Sequence, residues 1–161
     1  MKQVAAETRI SINAPLEKVW HVMLHTDAYS AWNPFVYRAD RTGDVSQPGT
    51  TMKLYVRWKN GGTATSGEIV TDVQAPVTDT NGNTQAHWAY RYTDILAILG
   101  LVKATRYQWL TQQPGGPTTY HTREDFTGLL KHFIPLKAVQ DGFERQAKAL
   151  KVRVELNTSP T

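Results

Sequence analysis

Glu124 is the ionisable side chain whose placement most invites chemistry. In the segment 117–126, Tyr120, Thr122, Glu124 and Phe126 fall on one face of a strand, and His121, Arg123 and Asp125 fall on the other. Phe126 belongs with a core, so Glu124 is expected to look inward. A carboxylate in apolar, aromatic surroundings has a raised pKa and can serve as a general base or anchor a ligand hydroxyl or amine. The plainer reading is a strand-end glutamate paired with Arg106 or Arg123 at the rim of a sheet. Residue types alone favour that reading, because structural ion pairs perturb carboxylates too. Tyr107 is the second candidate for acid–base work. Alternation groups Tyr107 and Trp109 with Thr105, and puts Trp88, Tyr90 and Tyr92 in the inner row of their strand.

Other chemistries find little support. The five histidines include no H-x-H and no H-E-x-x-H, so no metal site is expected. The chain has no cysteine, which removes disulfides, thiolate metal sites and cysteine nucleophiles together. Gly61-Gly62 and Gly115-Gly116 lack a following Lys-Ser/Thr and fit hairpin turns rather than phosphate cradles. No serine sits in a G-x-S-x-G elbow. No cofactor is implied.

The elements that must position these residues follow from periodicity. Residues 7–12 alternate as a strand, and Asn13-Ala14-Pro15 stops it. Leu16, Val19, Trp20 and Met23 then recur at helical spacing, with Pro15 suited to open the helix. A second short helix, from Thr26-Asp27, must end by Trp32-Asn33-Pro34, since proline pushes Asn33 out of the helical region. Strands are expected near 35–41, 50–58, 65–74, 84–92, 103–113 and 117–126, joined by short turns into an antiparallel meander. After Gly128 the period becomes helical, and Leu136, Val139, Phe143, Ala147, Leu150 and Val154 form one stripe. Thr93 to Leu101 is the exception, because Ile95, Leu96, Ile98, Leu99 and Leu101 crowd it without alternation.

With 161 residues, 40% of them hydrophobic and 20% charged, the chain is the size of one self-sufficient domain. We expect a single domain over 1–161, with 157–161 a polar tail. Apolar runs are too short for a membrane span, and Met1 to Glu7 lacks an apolar leader, so a cytoplasmic protein is the default expectation. A net charge of +4 is mild, and without a gathered basic face nucleic acid is not an expected partner. Nor is integral membrane association expected. Five Trp and seven Tyr suit a mixed apolar and polar cavity.

The order strand, two helices, six strands, long helix, with Ile10-Ser11-Ile12-Asn13-Ala14-Pro15-Leu16-Glu17-Lys18-Val19-Trp20 at its front, resembles the START-like or SRPBCC superfamily. Trp32-Asn33-Pro34-Phe35 and Thr122-Arg123-Glu124-Asp125-Phe126-Thr127-Gly128 turn the resemblance toward its polyketide-cyclase-like branch, as do Gly142-Phe143-Glu144 and Ala149-Leu150-Lys151. The resemblance implies a helix-grip fold of the α+β class, a curved antiparallel sheet of about seven strands around a long C-terminal helix. It also implies an internal cavity, because a curved sheet and one helix leave volume that side chains do not fill. A histidine common in the family two residues before the glutamate is Thr122 here, which removes one acid–base partner.

On this reading a hydrophobic or polycyclic small molecule, lipid-like or polyketide-like, binds among Trp88, Tyr90, Tyr92, Tyr107, Trp109, Tyr120, Glu124 and Phe143. The alternative is a metal-free cyclase, aromatase or isomerase using the same cavity with Glu124 and the tyrosines. A further alternative is a quinone or lipid chaperone. The segment of Ile95, Leu96, Leu99 and Leu101 is expected to gate the cavity beneath the end of the long helix, with Gly100 as its bend. A fixed plug and a dimer interface are the other readings, and the protein is expected to be a monomer or homodimer.

Overall fold

The computed structural model describes residues 3–156. The polar tail expected at 157–161 lies outside them. Strand β1 (Val4–Ile12) leads into helix α1 (Leu16–Leu24) and a 3-10 helix (Thr26–Ala31). Six strands follow: β2 (Val36–Arg41), β3 (Thr51–Arg57), β4 (Thr63–Thr78), β5 (Thr84–Tyr92), β6 (Lys103–Gln112) and β7 (Thr118–Thr127). A four-residue helix α2 (Ile95–Ile98) interrupts the meander between β5 and β6. A short 3-10 helix (Lys131–Phe133) precedes the long helix α3 (Leu136–Leu156).

All seven strands form one antiparallel sheet in the order β1-β7-β6-β5-β4-β3-β2. This is the helix-grip architecture that the family resemblance implies. The chain returns from the β2 edge strand by strand, so β7 ends beside β1. β4 is sixteen residues long, and its pairing with β5 slips twice, at Val70/Asp72 and Gln74/Val77. Each slip marks an irregularity of the kind that bends a strand and increases its twist.

Local chemistry fixes the turn into the sheet. The side-chain oxygen of Asn33 accepts hydrogen bonds from the backbone N–H groups of Phe35 (3.1 Å) and Val36 (3.0 Å). Asn33 thus caps the turn that Pro34 forces and aims Phe35 into the core.

α3 buries Val139, Gly142, Phe143, Gln146, Ala147, Leu150 and Val154. It also covers the open edge of β1. Gln140 accepts from the Glu7 N–H (2.8 Å) and donates to the Glu7 carbonyl (2.6 Å). Lys151 donates to the Ser11 carbonyl (2.9 Å), and Glu155 accepts from the Asn13 N–H (2.8 Å). Polar side chains of the helix thereby occupy backbone groups that would otherwise template another strand.

Candidate functional site

Register across β5, β6 and β7 builds the site. Tyr90 pairs with Arg106, and Arg106 pairs with Glu124, so the three stand side by side on the inner face of the sheet. Glu68, on β4, pairs with Tyr92 one inward position further along. Above them α3 supplies Val139 and Phe143, and Phe35, just before β2, and Trp58, just after β3, close the other flank. The pocket between sheet and helix has a volume of about 230 Å³, just below the range of roughly 300–1,000 Å³ usual for small-molecule sites. Its walls are mainly apolar, and Glu68, Tyr90, Tyr92, Arg106 and Glu124 give it one polar side.

Arg106 is the centre of that side. It is 3% exposed, and its guanidinium donates to Thr122 Oγ1 (3.0 Å), the Tyr90 hydroxyl (3.1 Å) and Gln146 Oε1 (3.2 Å). It also lies 4.0 Å above the centre of the Phe143 ring. None of the ion pairs among the described residues includes it. Burial opposes its charge, but the neighbouring phenols and Glu124 hold its pKa above the usual value. A guanidinium has five N–H donors, so neutral acceptors leave part of its capacity open on the pocket wall.

The two carboxyls facing this cation are both pushed up by burial. Glu68 reaches about 8, with the charge of Glu124 adding to the rise and the Ser66 hydroxyl (2.6 Å) opposing it. Glu124 reaches about 7, with Arg106 opposing the rise. Glu124 is half-buried on the pocket wall and enters none of those ion pairs. The rim pair favoured on residue types is therefore not formed. Arg123 points to the other face, where it pairs with Asp125 (2.8 Å) and Glu7 (3.3 Å).

Four of the expected ligand-binding residues line the pocket: Tyr90, Tyr92, Glu124 and Phe143. Trp88 and Tyr120 face inward but are packed solid behind it. The Trp88 indole donates to the Val45 carbonyl (2.9 Å), and the Tyr120 hydroxyl donates to Gln108 (2.7 Å). Tyr107 and Trp109 correct the sequence reading. The inner row of β6 is Ala104, Arg106, Gln108 and Leu110, all buried, and the two aromatics lie on the outer face. There Tyr107 stacks on Trp109 (5.3 Å, 7°), and Trp109 lies against His121 (4.7 Å). Tyr107 is thus removed from the acid–base candidates. Alternation anchored on the large rings gives the wrong phase here, and the buried Ala104 and Leu110 carry the signal for the opposite one.

Arg106 and Glu68 were not foreseen as site residues. Of the expected gate, only Leu96 lines the pocket. Leu101 is half-buried, while Ile95 and Leu99 are exposed, so the long helix does not cover the segment as expected. Among the described residues no group of His, Asp and Glu is arranged to hold a metal, and no helix is long and apolar enough to cross a membrane.

Residues 3–155 match the family described as polyketide cyclase / dehydrase and lipid transport. The chain belongs to that family. No curated protein matches it in sequence. Solved structures match its fold. The major latex-like protein 151 of Panax ginseng aligns over 94% of this chain and 97% of its own, with a TM-score of 0.70 at 9% identity. A START superfamily protein from Mycobacterium smegmatis aligns over 98% and 100%, with a TM-score of 0.62 at 17% identity. The di-domain ARO/CYC StfQ from the steffimycin biosynthetic pathway aligns over 96% of this chain, with a TM-score of 0.70 at 12% identity. The chain spans about half the length of the di-domain proteins it matches, 51% and 52% of them.

Proposed function

We propose that this chain binds a hydrophobic, ring-containing small molecule between the sheet and α3, and that Arg106 and Glu124 receive a carbonyl or phenolic oxygen of it. The carrying observation is Arg106 itself, a buried guanidinium held by neutral acceptors on the wall of an otherwise apolar pocket. Burying a cation that makes no ion-pair contact is costly, and a ligand oxygen offsets part of that cost. Glu124, protonated below about 7, donates to the same oxygen, and above it accepts from a ligand hydroxyl. Family membership supports hydrophobic ligand binding in general. The pocket's size favours a ligand of about two or three fused rings over a long acyl chain.

Fluorescence titration with naphthol tests this reading. Arg106→Met should weaken binding about tenfold, the value of one hydrogen bond to a charged group. Val139→Trp should abolish binding by filling the pocket. Equal affinities in all three proteins would overturn the assignment.

A second reading is favoured by the pair of raised carboxyls. Glu124 beside Arg106 has the parts for removing a proton next to a carbonyl that the guanidinium polarises, as a cyclase or aromatase requires. With a poly-β-ketone thioester as substrate, the rate should rise as Glu124 deprotonates through about pH 7, and Glu124→Gln should abolish it. A rate unaffected by Glu124→Gln leaves the binding reading alone.

A further inference from the structure

We infer that the mouth of the pocket is a docking surface for an anionic lipid membrane. Two segments form it, the stretch around α2 and the 3-10 turn before α3. They are joined by the Leu130 N–H donating to the Leu101 carbonyl (2.8 Å). Gly128 (φ +101°) backs directly onto this junction, where a Cβ would come within 2.6 Å of the Leu101 carbonyl oxygen. So joined, the segments hold five large apolar side chains out of the protein. Ile95, Ile98 and Leu99 are 61%, 75% and 61% exposed, and Leu129 and Phe133 are 80% and 81% exposed. Five large apolar side chains so exposed on two joined segments are uncommon on a domain of this size and mark an interaction site.

The other side of the same two segments belongs to the pocket, whose wall includes Leu96, Ile134 and Pro135. Apolar surface therefore runs from the outside of the molecule to the cavity, as a site that takes ligand from a bilayer needs.

Charge identifies the occupant. Within 93–103 and 127–137 the basic residues are Lys103, Lys131, His132 and Lys137, against a single carboxylate, Asp94. The Asp94 carboxylate is held inward by the Gly67 N–H (2.8 Å). Exposed apolar side chains on segments with this excess of basic residues fit the interface of a membrane carrying negative headgroups. A second copy of the chain fits worse, because a two-fold contact sets the same lysines against each other.

The docking surface is independent of what the pocket holds, and the test uses the full chain without added ligand. In sedimentation with vesicles, the protein should bind phosphatidylcholine vesicles containing phosphatidylserine at least about tenfold better than phosphatidylcholine alone, and salt should weaken the binding. Ile98→Ser with Phe133→Ser should lower that binding about tenfold, with melting temperature and naphthol affinity unchanged. The chain has no cysteine, so Leu129→Cys carries a single environment-sensitive dye, whose emission should shift blue on the anionic vesicles. Equal binding to both vesicle types, undiminished binding of the double variant, or an unshifted dye would overturn the proposal. A wild-type dimer that the double variant converts to monomer would also overturn it, in favour of a second copy. Loss of naphthol binding in Val139→Trp with vesicle binding intact separates the two sites.

Discussion

At the scale of single residues, Arg106, Glu68 and Glu124 set a conflict between burial and charge. The native state keeps the two carboxyls protonated to higher pH than the unfolded chain does. For Glu68 the folded value is about 8 against an ordinary 4.5, so between those values the folded protein holds a proton the unfolded chain has released. Stability from this group is fully present below about pH 4.5 and is lost as pH rises to about 8. Glu124 adds a parallel loss that ends near pH 7. Glu68→Gln, uncharged at all pH values, should therefore gain on the wild type as pH rises through this window, as denaturant unfolding at several pH values will show. A constant difference would contradict it. Arg106→Met should move the Glu124 pKa above about 7, because the cation that now opposes the rise is gone; carboxyl carbon chemical shifts read this directly. Glu124 was legible from strand alternation because Phe126 fixed the phase. Arg106 was hidden, since an arginine in a strand ordinarily reads as surface.

At the scale of elements, α3 and the strands beneath it fit through close contacts. Gly142 lets the Phe35 ring approach so near that an added Cβ would lie 2.5 Å from it. Alanine is the better helix former by about 1 kcal/mol, yet Gly142→Ala should lower the melting temperature and displace Phe35, which lines the pocket. Phe143→Ala removes a ring that is 1% exposed and carries the Arg106 guanidinium, and should cost about 3–5 kcal/mol in equilibrium unfolding. A loss under about 1 kcal/mol would mean that Phe143 faces open space rather than the core. The long helix was readable because its stripe, Leu136 to Val154, repeats for about five turns with few exceptions. β6 was not, because its inner row mixes Ala104 and Leu110 with Arg106 and Gln108, and its outer face holds two large rings. Hydrophobic alternation has no way to tell a polar-lined interior from an exterior whose aromatics stack on one another. The first slip in β4 is equally silent in sequence, since no glycine or proline marks it, whereas Pro76 stands within the second.

At the scale of the whole molecule, the sheet, α3 and the two mouth segments make one apolar interior with one polar wall. The aliphatic run at Thr93 to Leu101 was conspicuous in the sequence, but its exposure depends on where the 3-10 turn before α3 comes to lie, a contact between residues far apart in the chain. Ligand should enter the interior, not the aromatic stack on the outer face or the apolar rim alone. Amide chemical shifts on adding naphthol to the isotope-labelled protein test this most directly. The largest changes should fall at Tyr90, Arg106, Glu124 and Phe143, with Tyr107 and Trp109 unmoved. Changes confined to Tyr107 and Trp109, or to Ile98, Leu99 and Phe133, would contradict it.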